Sequence, residues 1–208
     1  MTTTIDDTQI VFNEMKTKIN HENLSHMVSL MNAVSDECNG DGAGLSCGLM
    51  IDMILTKLLP TIIDTFESCH VGESDCKILN VPVSIKTING KSTIALDWSK
   101  NGDNSIKRER FNTPIMIINR KTQKWWITSP RGKKSPDFYS TQINAGIYLV
   151  SPTYCKENVT LVSNNKTNSL IKDVPLYHML KDSIKNNTFI EFPTDVPKRN
   201  FKIQRALD

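Results

Sequence analysis

The chain has 208 residues, 38% of them hydrophobic and 23% charged, with a formal net charge of +3, which is enough apolar material for one well-buried core. No apolar stretch reaches the roughly 18 to 20 uncharged residues of a helical membrane span, and MTTTIDDTQI lacks the basic start and apolar centre of a signal peptide. These bounds predict one soluble domain over residues 1–208, located in the cytoplasm, and the small net charge by itself announces no polyanionic partner.

From Ile5 to Cys38 apolar residues recur at three- and four-residue spacings, which predicts one or two amphipathic helices. His21 and His26 fall there as solvated helix positions. The stretch NGDGAGLSCG, Asn39 to Gly48, is rich in glycine and reads as a loop, but it is not a phosphate loop because the GxxxxGK[ST] lysine is missing. LMIDMILTKLLPTIIDTFESCH then reads as a buried helix that Pro60 ends or kinks. Asp52 is the one charge in its first half, so it faces a cation, caps a turn or looks out to solvent.

After Gly72 the pattern changes to short β-type runs. CKIL, VPVSIKTI and STIALDW are separated by Asn80 and by Asn89-Gly90, a two-residue hairpin signal, and predict three antiparallel strands. PIMIINR and KWWITS read as a second pair joined through Lys121, Thr122 and Gln123. AGIYLV and VTLVS extend the β set, LYHMLKDSI reads as a late helix, and NFKIQRAL as a strand or an arm. Helices first, then a mostly antiparallel sheet, then a helix predict an α/β (α+β) domain with helices flanking a central mixed sheet. Within it, residues 1–47 supply the N-terminal helices and glycine-rich loop, 48–101 the candidate core, and 102–208 a sheet extension.

The five cysteines lack CxxC spacing and read as reduced thiols. No GxSxG elbow, HExxH motif or nucleotide-binding fingerprint occurs. What remains is GESDCKILNVPVSIK, Gly72 to Lys86. A hairpin there brings Asp75 and Lys86 side by side at a strand edge, the pairing a magnesium-dependent phosphodiesterase uses to hold its metal and steady an anionic phosphate.

A helix, an acidic residue on one strand, a turn, and x-x-Lys on the partner strand resemble the core of the PD-(D/E)xK nucleases, the fold of most type II restriction endonucleases. The resemblance covers residues 48 to 101. It implies that Asp75 binds Mg²⁺ and that Lys86 orients or activates the attacking water. Ser84-Ile85-Lys86 takes the place of (D/E)-x-Lys, and Asp52 falls where many members carry an additional helix carboxylate. Two departures stand out: Ser74 replaces the frequent proline, and Ser84 replaces the second acid. A hydroxyl is a poor Mg²⁺ ligand, so the missing carboxylate has to come from Asp52, Asp97, Glu67 or Glu73, or be replaced by backbone and water.

The resemblance further implies double-stranded DNA as substrate and, for cutting both strands of a palindrome, a homodimer. Lys100, Asn101, Lys107, Arg108 and Arg110 suit phosphate contacts. Arg131, Lys133 and Lys134, in WWITSPRGKKSPDFYSTQIN, suit base reading. The function so implied is site-specific, Mg²⁺-dependent DNA cleavage, with a junction resolvase or a non-catalytic DNA-binding protein as alternatives.

Overall fold

The computed structural model describes residues 6–37, 43–71, 74–89, 94–95, 112–126, 140–158, 162–164, 167–171 and 173–196. Three helices come first: α1 (Asp7–Lys18), α2 (His21–Glu37) and α3 (Ala43–Ile62). Asp6 caps α1 by accepting from the Thr8 N–H, satisfying one of the donors a helix start leaves open. On α3, Ile51, Leu55 and Leu59 recur every four residues and are buried, so one stripe of the helix faces the core.

The central sheet has six strands in the order β1 (Phe66–Val71), β2 (Ser74–Ile78), β3 (Val81–Ile88), β5 (Ile115–Asn119), β8 (Gly146–Val150) and β11 (Phe189–Glu191). All its neighbours are antiparallel except β3 and β5, which run parallel from Ser84↔Ile115 to Ile88↔Asn119. Every residue of β5 and β8 is buried, because both faces of the sheet are covered. Side-chain alternation sorts them: Met116, Ile118, Ile147 and Leu149 pack with α1, α2 and α3. Ile115, Ile117, Tyr148 and Val150 pack instead with α4 (Pro152–Asn158) and α5 (Asp173–Lys185). The expected mixed sheet flanked by helices is what the chain forms.

Several local expectations are corrected. The Asn89-Gly90 signal does not return β3 into a third antiparallel strand. The next strand, β4 (Ile94–Ala95), pairs instead with β10 (Thr167–Ile171), which also pairs with β9 (Val162–Asn164), and the open edge of β3 takes β5. A largely apolar strand that can be buried on both faces outcompetes a local turn preference. For the same reason β5 does not pair with the KWWITS segment. That segment forms β6 (Gln123–Trp126) and pairs with β7 (Ser140–Ile143) in a separate ribbon.

The glycine-rich stretch is helical from Ala43 onward rather than a loop, and Pro60 lies in the last turn of α3. FESCHV is not helix but the edge strand β1, since Phe66 is needed in the core opposite Ile78. The C-terminal NFKIQRAL lies outside the described residues. No helix among the described residues is long and apolar enough to cross a membrane.

Candidate active site

The hairpin of β2 and β3 turns at Leu79 and Asn80, whose φ values of 52° and 64° form a two-residue turn with both central residues left-handed. Its ladder runs Ile78↔Val81, Lys77↔Pro82, Cys76↔Val83 and stops there. Beyond that point β3 takes its parallel partner β5, and the first link is the Ser84 N–H donating to the Pro114 carbonyl at 3.0 Å.

Asp75 sits where the two strands part. Its Oδ2 accepts the Ile85 N–H at 2.6 Å and the Ser84 hydroxyl at 3.2 Å, so the carboxylate takes a backbone donor that the ended ladder leaves over. Lys86 Nζ lies 4.0 Å from the same oxygen. Both side chains keep a route to solvent, Lys86 26% and Asp75 44% exposed, which a site that must admit a substrate requires. Ser84 is fully buried and spends its hydroxyl on Asp75. It supports the acid rather than replacing one.

On the other face of β3, Thr87 donates its hydroxyl to Asp52 Oδ1 of α3 at 2.8 Å. The Asp52 residue is open to solvent at the helix surface while its carboxylate lies against the strand. Its carboxyl is raised above the ordinary range, first by burial of the charged group and further by the negative charge of Asp75. The Thr87 hydrogen bond, Lys86 and Arg120 act in the opposite direction. Arg120 follows β5 directly. Its backbone N–H donates to the Ile88 carbonyl at 2.9 Å, and its guanidinium reaches Ser35 of α2 at 2.7 Å.

Four of the residues singled out in the sequence, Asp52, Asp75, Ser84 and Lys86, therefore meet around the second half of β3. Glu67 does not join them: it lies on β1 opposite Lys77, two strands away from β3. Asp97, Glu73, Lys100, Asn101, Lys107, Arg108, Arg110, Arg131, Lys133 and Lys134 lie outside the described residues. Sequence reasoning passed over Thr87 and Arg120. Thr87 could have been found by strand alternation, which turns the residue after Lys86 toward the helix that carries Asp52. Arg120 could have been found as the charge that ends PIMIIN, once that strand is known to run parallel to β3, since ligands gather at the carboxyl ends of such strands.

Among the described residues no group of three or more His, Cys, Asp or Glu side chains forms a metal cluster. Two carboxylates remain a sufficient protein share for Mg²⁺, which keeps several of its waters and takes one or two acids. Asp52 and Asp75 are acids of that kind: after burial, the negative charge of Asp75 helps to raise the Asp52 carboxyl, a cost that a divalent cation would relieve. Cys76 is buried and its thiol is pushed up to about 12 by burial, while Cys155 is buried under α5 and shifted the same way.

No protein-family model matches the chain, and no curated protein matches it. Among solved structures, a restriction endonuclease in complex with substrate DNA is similar, with a TM-score of 0.48 and 17% identity over 93% of this chain and 91% of that one.

Proposed function

We propose that the chain is a Mg²⁺-dependent endonuclease that hydrolyses DNA phosphodiesters in the cleft beside the second half of β3. The observation that carries this reading is the Asp75 carboxylate at the parting of β2 and β3, with Lys86 Nζ 4.0 Å away and the Asp52 carboxylate held against the same half of β3 by Thr87. Two acids and one lysine at the divergence of two strands combine a cation site with a fixed positive charge for the phosphate.

In this reading Asp75 and Asp52 hold the metal. Bound Mg²⁺ supplies Lewis-acid stabilisation of the charge that develops on the phosphate oxygens and makes water a better nucleophile near neutral pH. Lys86 steadies a non-bridging phosphate oxygen and keeps the attacking water in line. The Ile85 N–H and Ser84 hydroxyl keep Asp75 in one orientation, so the site does not reorganise as the substrate enters. A site-specific double-strand cut further needs two copies of the chain around a twofold axis, and double-stranded DNA as the partner.

The test is incubation of a large plasmid with the protein and Mg²⁺. Discrete bands establish site-specific cleavage, cutting confined to branched substrates makes the protein a resolvase, and retarded but intact DNA makes it a binder. Lys86→Ala is expected to lower the cleavage rate by about 10²- to 10³-fold, the size of a lost charge-stabilising group, and Asp75→Ala by at least as much. Cleavage that survives both substitutions removes this site from the reaction.

A further inference from the structure

We infer that Thr87 is a positioning residue, which holds the Asp52 carboxylate in the orientation needed to take a divalent cation together with Asp75. The inference rests on the metal-holding role proposed above for Asp52 and adds a residue specific to this chain. An aspartate at a solvent-open position on a helix has free χ1 and χ2 rotations, and ordering it on a metal costs side-chain entropy. Here the Thr87 hydroxyl fixes Oδ1 from 2.8 Å, so part of that ordering is done before any ion arrives.

The donor is itself rigid. Thr87 pairs with Ile118 in the parallel ladder, and the next link is made by the Arg120 N–H on the Ile88 carbonyl at 2.9 Å. Its β-branched side chain has few χ1 choices on a strand held at both ends. The acceptor's helix is fixed through Ile51 and Leu55, both buried in the core that α3 shares with Val83 of β3. With Oδ1 held by Thr87, Oδ2 of Asp52 is the oxygen left to a cation. Strand alternation therefore divides the work, Lys86 on one face of β3 serving the phosphate and Thr87 on the other serving the acid.

The test is calorimetric titration of the full chain with Ca²⁺ and Mg²⁺ in the absence of DNA, so that the readout does not depend on cleavage. Thr87→Val keeps the shape and strand preference but removes the hydroxyl, and it is expected to weaken cation binding roughly tenfold, the low end for loss of a group that orients a ligand. Thr87→Ser is expected to restore binding to within about twofold, since it returns the donor. In an Asp52→Asn background Thr87→Val should have no further effect.

Unchanged affinity in Thr87→Val, a Thr87→Ser protein as weak as Thr87→Val, or equal losses with and without Asp52 each overturn the inference. If those results occur while Asp75→Ala still weakens binding, the metal site stands and Thr87 alone is excluded. If the unsubstituted chain binds neither ion, both the site and the role of Thr87 fall together.

Discussion

The two halves of β3 are built by different rules. From Val81 to Val83 the strand is one arm of an antiparallel hairpin closed by a two-residue turn, and its backbone bonds go to β2. From Ser84 to Ile88 it is the inner strand of a parallel pair with β5, and the β2 side has opened. Only in the second half does a carboxylate, Asp75, take a backbone donor, the Ile85 N–H at 2.6 Å. The hairpin half fixes where the acid stands, and the parallel half supplies the groups that face it. A strand that changes partners midway creates a wedge of free backbone and side-chain positions, and polar chemistry collects in it because the ladder no longer fills the space.

This division predicts that stability and chemistry separate along the strand. The largest stability effect belongs to the hairpin half. Ile78 is fully buried, and Ile78→Ala is expected to cost about 2–5 kcal/mol in denaturant unfolding, from lost apolar contact plus the cavity left behind. At temperatures where the variant remains folded, its cleavage rate per folded molecule should stay close to that of the unsubstituted chain. A rate that falls by the factor seen for Lys86→Ala would show that the two halves are not separable.

Asp52→Asn is expected to act with the opposite sign. The folded-state pKa of Asp52 is raised above its ordinary value near 3.8, so the folded protein binds that proton more tightly than the unfolded chain does. The associated stability is present below the unfolded value and is lost as pH rises through the folded value. At neutral pH, with chelator present, the charged group is therefore a net cost. Asn removes the charge while still offering Thr87 an acceptor. Thermal melts at pH 7 should show a higher midpoint for Asp52→Asn, and the gap should close as pH falls below the carboxylate range. A midpoint that drops at pH 7 would mean that Asp52 stabilises the fold and is not held at the fold's expense.

The hairpin half was also the half legible in the sequence. Asn80 between CKIL and VPVSIKTI marks a local turn, and the chain turns there, at Leu79 and Asn80. What could not be read was the partner of the second half. Parallel pairing of β3 with β5 joins residues such as Ser84 and Ile115 across a long connection, and no local signal encodes it. The nearer Asn89-Gly90 signal pointed to the wrong neighbour for that reason. The approach of Asp75 to Lys86 was legible from the hairpin alone, while a place for Asp52 beside them was only what the resemblance implied. Thr87 and Arg120 were not legible, because each gains meaning only when α3 and β5 are placed beside β3. FESCH falls at the end of the run read as a helix that Pro60 ends or kinks, and so short a mixed stretch carries no period of its own to mark it as a strand.

The smallest effect, and the one that most sharply isolates the hairpin half, lies at its turn. Leu79 adopts φ of 52° although it is neither Gly nor Asn, and it is 41% exposed, so its side chain repays little of the strain. Replacing Leu79 and Asn80 together by Asn and Gly installs the pair that a turn with both central residues left-handed prefers. A gain of about 0.4–1 kcal/mol is expected, which moves the thermal midpoint by roughly 1–4 °C. Cation affinity and cleavage should not change, because the turn lies at the closed end of the ladder and Asp75 at the open end. If tightening the turn alters cation binding, strain from Leu79 is being transmitted along the hairpin to Asp75, and the closed end helps set the geometry of the open one.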